Sequence, residues 1–98
     1  MEKSSPHCPL STIKELVRAG KVRASATAVR HAYCLGFQPQ DMFAELLKLE
    51  RVEFYKSMTS YHDHTVWQDV YRHASSAGML YIKLTVMDGV VIVSFKEL

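Results

Sequence analysis

The stretch 79-MLYIKLTVMDGVVIVSFKEL-98 decides the fold, because it predicts a two-stranded β-hairpin. Asp88 and Gly89 stand between two runs of alternating side chains, and this dipeptide favours the tight turn that joins antiparallel strands. With these two residues as the turn, position 87 pairs with 90, 85 with 92, 83 with 94 and 81 with 96. The register therefore predicts that Tyr81 lies directly opposite Lys96.

Strict alternation gives this hairpin two different faces. The apolar face, which other elements must cover, carries Leu80, Ile82, Leu84, Val86, Val91, Val93 and Phe95. The polar face carries Tyr81, Lys83, Thr85, Ser94 and Lys96. Such a face is typical of any half-buried antiparallel sheet, but it is also the candidate functional surface.

Two helical patterns near the start of the chain predict helices that could cover part of the apolar face of the hairpin. Thr12 and Glu15 have the spacing of a capping box for a first helix, which Gly20 would end. After a short extended link, "KVRAS", Ser25 is placed to cap a second helix that Gly36 ends. The face of that second helix carries Ala28, Val29, Ala32 and Tyr33.

A third helix is predicted to begin at Pro39, with Asp41 at the positive end of its dipole. Its apolar stripe carries Met42, Phe43, Leu46 and Leu47. Downstream, "VEFYKSM" and "TVWQDVYR" predict two more strands. We therefore expect an α+β fold, in which an antiparallel sheet of about four or more strands packs against the N-terminal helices as a single domain over residues 1–98.

Composition narrows the class of protein. The 98 residues are 48% hydrophobic, enough for one core, and the formal net charge is +2 with 22% charged residues. These values exclude a disordered tail and a histone-like polycation. No apolar run resembles a signal peptide or a membrane span, which predicts a soluble cytosolic protein. Cys8 and Cys34 lack metal-site spacing and are expected to be ordinary reduced thiols.

The polar face favours a phosphate-bearing ligand, because it offers lysines, a tyrosine and a serine without a pair of carboxylates. Cleavage of RNA by its own 2′-hydroxyl requires removal of a proton, stabilisation of negative charge and protonation of the leaving oxygen. Lysines and tyrosines can carry out these proton transfers and stabilise the negative charge without a metal. The aromatic side chains of residues 52–72 could stack on unpaired bases.

Two other chemistries come from the histidines. His62 and His64 in "HDH" could face one side and bind a metal, although no third ligand has suitable spacing. Alternatively, His62, His64 or His73 could serve as the acid and base of a two-histidine nuclease. All three lie in or beside a predicted turn, where solvated histidines are common. Trp67 is expected to be a packing residue.

The chain resembles the MqsR family of RelE-like mRNA-interferase toxins. The resemblance covers essentially the whole chain through "MEK", "PH", "LVRAGKVR", "FYKSMT", "DHT", "WQDVYR" and "VSFKE". It implies a ribosome-independent endoribonuclease of a type II toxin-antitoxin pair, which cuts single-stranded mRNA at short GC-containing sites. The products would be a cyclic phosphate and a 5′-hydroxyl, and translation would stop. Neither a metal nor another cofactor is implied.

The resemblance also implies site residues. The catalytic positions fall on Lys56, Gln68, Tyr81 and Lys96. Lys56 and Lys96 are expected to stabilise the phosphate and transfer protons, Tyr81 to act as acid or base, and Gln68 to orient the substrate or recognise a base. The RNA-binding positions are expected to be Tyr55, His64, Arg72 and Lys83.

The implied partner is an MqsA-like antitoxin that contains zinc, besides the mRNA substrate. The segment "ASATAVRHAYCLGF" departs most from the family pattern, which concerns partner recognition more than catalysis. Two alternatives remain open at this point. The chain could be a non-catalytic RNA-binding or translation-regulating module, or a degenerate toxin that only sequesters its antitoxin.

Overall fold

Three helices cover one face of a six-stranded sheet in the computed structural model, which describes residues 2–61 and 63–97, with only the backbone of Lys96 and Glu97. The helices are α1 (Leu10–Arg18), α2 (Ala26–Cys34) and α3 (Pro39–Leu46), and a 3₁₀ turn spans Arg51–Glu53. The strands are β1 (Glu2–Lys3), β2 (Val22–Ala24), β3 (Phe54–Thr59), β4 (Trp67–Ser75), β5 (Gly78–Met87) and β6 (Val90–Glu97). The predicted α+β class is confirmed.

The strands lie in the order β1-β3-β4-β5-β6-β2. All neighbours pair antiparallel except β2, which runs parallel to β6. Within the described ranges, no helix is both long and apolar enough to cross a membrane. The specific likeness to RelE stays a prediction.

The β5-β6 hairpin has the predicted register, including the pair Tyr81 and Lys96. Asp88 and Gly89 have φ values of 53° and 73°, the left-handed conformation that a two-residue hairpin turn requires. The apolar face is buried against the helices at Leu80, Ile82, Leu84, Val91, Val93 and Phe95. Val86 was predicted to be buried with them, but it is 36% exposed because it lies at the turn end of the hairpin.

Of the side-chain caps predicted for α1 and α2, the one for α2 is confirmed and the one for α1 is wrong. Ser25 caps α2 as predicted, since its Oγ accepts a hydrogen bond from the Ala28 N–H at 3.1 Å. The capping box at Thr12 is wrong: α1 begins at Leu10, after Pro9, and the Thr12 N–H donates to the Pro9 carbonyl. Proline holds the extended backbone that precedes a helix without any side-chain cap.

The predicted start of α3 is confirmed, whereas the predicted burial of one α2 residue is wrong. Pro39 begins α3, and Asp41 accepts a hydrogen bond from the Gln38 N–H, as a first-turn carboxylate should. Tyr33 of α2 was expected on the buried face with Ala28 and Ala32, but it is 68% exposed.

The "KVRAS" link is a strand rather than a simple connection. Val22 pairs with Val91 and Ala24 with Val93 at the edge of β6. The helices α1 and α2 both pack near β6, so the chain between them must pass along this edge of the sheet. Pairing there satisfies the polar backbone groups of the link.

A buried histidine joins the helices to the back of the sheet. His73 on β4 is 3% exposed, and its Nδ1 lies 2.9 Å from Glu53 Oε2 while its Nε2 lies 2.9 Å from Glu45 Oε1. Glu53 also accepts hydrogen bonds from the backbone N–H groups of Ala74 and Glu50. These contacts hold α3, the 3₁₀ turn and β4 together.

This cluster predicts an acid-sensitive contribution to stability. Burial opposes ionisation of Glu53, but the hydrogen bonds from Ala74, Glu50 and His73 lower its pKa below the ordinary 4.5. A lowered carboxyl pKa gives stability that is complete above the unfolded-state pKa and is lost as the pH falls through the folded-state pKa. We expect Glu53→Gln to lower the free energy of unfolding by about 1–3 kcal/mol at pH 7, and by much less near pH 3.5.

Urea denaturation from pH 7 to pH 3.5 measures this difference. Glu15→Gln, which changes an exposed carboxylate on α1, is the matched control and should stay close to the parent protein at every pH. A gap between the parent and Glu53→Gln that does not narrow with acid would contradict the assignment.

Candidate functional site

The face of the sheet opposite the helices carries a pocket of about 230 Å³. It is lined by Tyr55, Lys56, Met58, Val70, Tyr81 and Lys83, which come from β3, β4 and β5. Small-molecule sites usually enclose roughly 300–1,000 Å³, so this pocket suits one part of a larger ligand. Apolar side chains form its floor, and ammonium and phenol groups stand around it.

A β-bulge brings two neighbouring residues of β3 into this pocket. Phe54 pairs with Tyr71 and Lys56 pairs with Val70, so Tyr55 is an extra residue in β3 without its own partner on β4. In a regular strand, consecutive side chains point to opposite faces, but a bulge re-aims one of them. Both Tyr55 and Lys56 therefore line the pocket, while Phe54 packs against the core.

An arginine is held between two tyrosines at one side of the pocket. The Arg72 guanidinium carbon lies 3.7 Å from the centre of the Tyr55 ring and 5.7 Å from that of Tyr81. Arg72 also donates a long hydrogen bond of 3.4 Å to the Tyr81 hydroxyl. This hydrogen bond raises the pKa of Arg72. Since the Tyr81 oxygen accepts this bond, its own hydrogen can point towards a ligand.

The hairpin register explains why Lys83 lies on this side of the sheet, and it predicts the same side for Lys96. Lys83 lines the pocket and is paired with Val70 on β4 and Ser94 on β6. Lys96 is paired with Tyr81 through the backbone. The Lys96 side chain lies outside the described part of the structure, so its predicted place on this face rests on the register.

The sequence also singled out Gln68 and His64. Gln68 pairs with Met58 and is half-buried beside the pocket, although it does not line it. His64 is exposed in the connection between β3 and β4 and does not line the pocket. The structure therefore brings Tyr55, Lys56, Arg72, Tyr81 and Lys83 together, places Gln68 next to them and leaves His64 apart.

One charged residue of the site was missed by sequence reasoning. The Glu2 carboxylate on β1 lies 3.1 Å from the Lys56 ammonium, and β1 pairs with β3 so that Glu2 is opposite Met58. The only sequence signal was the motif "MEK", which was used for the resemblance and not for the site. A contact between residues so far apart in the chain has no local pattern.

A buried carboxylate ties the chain after β1 to the sheet. Asp69 on β4 accepts hydrogen bonds from the N–H groups of His7 and Cys8 at 2.9 and 3.0 Å, and from the Ser57 hydroxyl at 2.7 Å. His7 also stacks on Trp67, with ring centres 5.3 Å apart, which agrees with the packing role predicted for Trp67. The N-terminal segment is therefore fixed next to β3 and β4.

The structure tests the histidine chemistries only at His73 and His64. His73 faces the helices and is enclosed by Glu45 and Glu53, so its proposed role in a two-histidine nuclease is wrong. Among the described residues, no group of three or more His, Cys, Asp or Glu side chains could hold a metal ion, and His62 lies outside them. Cys8 and Cys34 are free thiols, and burial next to Asp69 raises the pKa of Cys8.

Lysines and tyrosines line this pocket on an open antiparallel sheet and an arginine contacts both tyrosines, which is the class of surface that suits a phosphate-bearing ligand with flat bases. Comparison with known proteins narrows this class. A family model described as "Motility quorum-sensing regulator, toxin of MqsA" matches residues 5–97. A curated relative from Escherichia coli (strain K12), named "mRNA interferase toxin MqsR", is 50% identical over 97 residues, which cover 99% of each chain. The chain belongs to the MqsR toxin family, as its motifs predicted.

Proposed function

We propose that this protein is an mRNA interferase, the toxin of a type II toxin-antitoxin pair, and that it stops translation by cutting mRNA. Family membership supports the activity, since the E. coli relative is named for it. The observation that carries the proposal in this chain is the convergence of Lys56, Arg72, Tyr81 and Lys83 around one pocket. These residues come from three strands and meet only in the folded protein.

The proposed reaction is a transesterification in which the 2′-oxygen of the RNA attacks the adjacent phosphorus. Lys56, with Lys96, stabilises the negative charge that develops on the phosphate oxygens. Tyr81 acts as the general acid. Its oxygen accepts the hydrogen bond from Arg72, so its hydroxyl hydrogen can be donated to the departing 5′-oxygen. Gln68, beside Met58, orients the substrate. The products are a 2′,3′-cyclic phosphate and a 5′-hydroxyl.

Recognition of single-stranded RNA would use the aromatic and basic rim. Tyr55 is exposed and offers a ring against which a base can stack, next to the Arg72 guanidinium. Arg72 and Lys83 bind backbone phosphates, and His64 contacts the strand further along. Stacking does not depend on base identity. The preference for short GC-containing sites therefore comes from the family resemblance alone.

The remaining parts of the proposal concern cofactors, partner and location. Side chains supply every proton transfer and charge contact named above, so the reaction is proposed to need no metal and no ribosome. The family is described as the toxin of MqsA. We propose an MqsA-like antitoxin as the partner, with the zinc belonging to that partner, and we place the toxin in the cytoplasm with its mRNA substrate.

Cleavage of a defined RNA tests this function. Purified protein is incubated in EDTA with an unstructured RNA, and the cut positions are mapped. We expect cuts at one short recurring sequence. An intact RNA that shifts in a gel would support the non-catalytic RNA-binding module instead, and an RNA that is neither cut nor bound would favour the degenerate toxin.

Growth of expressing cells tests the two site lysines. We expect Lys56→Ala and Lys96→Ala each to lower the cleavage rate about 10²–10³-fold, because each removes a group that stabilises transition-state charge. Expression of either variant should then no longer arrest growth. Lys56 lines the pocket on the uncovered face, and the register predicts the same face for Lys96, so the thermal midpoint should move by less than about 3 °C. A variant that folds and is still fully toxic would contradict the assignment.

Binding of a non-cleavable strand tests the arginine. A single-stranded oligonucleotide with 2′-deoxy sugars keeps the phosphates and bases but cannot react. We expect Arg72→Gln to weaken its binding about tenfold, because both a phosphate contact and the stack with Tyr55 are lost. Arg30→Gln, an exposed arginine on α2, is the charge-matched control and should bind like the parent. Equal losses in both variants would indicate general charge attraction rather than a site at Arg72.

A further inference from the structure

We propose that Glu2 is a catalytic residue of this site and that its carboxylate removes the proton from the attacking 2′-hydroxyl. The inference rests on the proposed function, because it names the base of that same reaction. It differs from the catalytic set that sequence motifs implied, which consists of two lysines, one tyrosine and one glutamine.

The chemistry of the pocket calls for a proton acceptor. Ammonium, guanidinium and phenol groups ordinarily hold their protons at neutral pH, and a carboxamide is not a useful base. A carboxylate is ordinarily ionised at neutral pH, so it can accept a proton without first having to lose one. Within the described side chains, Glu2 is the carboxylate that contacts a residue lining the pocket.

The contact with Lys56 places this carboxylate beside the phosphate position. A lysine ammonium has three donors, and Glu2 Oε2, at 3.1 Å, accepts from one of them. The remaining donors are available to the phosphate that Lys56 is proposed to bind. In RNA, the attacking 2′-hydroxyl lies next to that phosphate. A phosphate on Lys56 therefore brings the hydroxyl close to the same ammonium that Glu2 contacts.

Glu2 is both held and accessible. Its strand is paired to β3 at Met58 and Ser57, and Asp69 fixes the chain just after it. Lys3 is held as well, with its ammonium 4.3 Å from the centre of the Trp67 ring. The Glu2 side chain is nevertheless 61% exposed, so it can turn to a substrate. An exposed ion pair is weak, so the contact with Lys56 does not prevent the Glu2 carboxylate from turning to a substrate.

The proposed step balances. The Glu2 carboxylate takes the 2′-hydroxyl proton as the 2′-oxygen forms its bond to phosphorus. The bond between phosphorus and the 5′-oxygen breaks, and the 5′-oxygen takes the phenol proton of Tyr81. Solvent then removes the proton from Glu2 and returns one to Tyr81. Lys56 remains protonated throughout.

Steady-state cleavage of a short RNA by Glu2→Gln tests the inference. We expect kcat to fall about 10²–10⁴-fold with KM changed less than about threefold, because a general base acts in the chemical step. The acidic limb of the parent's pH–rate profile, which reports the ionisation of the base, should be lost in this variant. Glu2→Asp should keep a measurable part of the activity. Glu15→Gln removes the same charge from α1 and should behave like the parent.

Two results would overturn the role of Glu2 while leaving the proposed function intact. One is an active parent protein whose Glu2→Gln variant has a kcat within threefold of it and the same acidic limb. The other is a Glu2→Gln variant with a raised kcat/KM, which would show that Glu2 only competes with the phosphate for Lys56. A parent protein that cuts no RNA would instead overturn the proposed function, and the role of Glu2 with it.

Discussion

Alternation of side chains between the two faces of the antiparallel sheet is the constraint on which the rest of the structure depends. Because Leu80, Ile82 and Phe95 are buried against the helices, their neighbours along each strand must lie on the opposite face of the sheet. Tyr81 and Lys83 must then face away from the core. A slip of one residue would bury these polar groups and expose the apolar ones, so the register that builds the core also builds the site.

The parts of the fold that the sequence predicts are those with local causes. Asp88 and Gly89 set the hairpin register, and Ser25 caps α2 through a contact three residues away. The strand β2 could not be predicted, because its pairing with β6 depends on where α1 and α2 pack. Val86 and Tyr33 fit the apolar pattern, but they lie at the margin of the buried core and are exposed. Only the tertiary structure determines where the core ends.

The same distinction applies to the site. Family motifs and alternation predicted Lys56, Tyr81, Lys83 and Arg72, and the structure brings them together. The bulge that turns Tyr55 towards the pocket and the approach of Glu2 to Lys56 involve pairings between distant segments, which have no local signal. Behind the sheet, buried Asp69, Ser57 and His73 hold the strands from the helix side. Polar residues thus occur on both faces, and Asp69, Ser57 and His73 have fixed partners on the helix side.

In the proposed function, the open face of the sheet cuts RNA by activating the 2′-hydroxyl next to the cleaved bond. The most direct test compares two otherwise identical short RNAs, one of them with a single 2′-deoxy sugar at the mapped cleavage position. We expect the all-ribose strand to be cut to a 2′,3′-cyclic phosphate and a 5′-hydroxyl, and the substituted strand to be bound but left intact. Cleavage of both strands at the same position would contradict this mechanism.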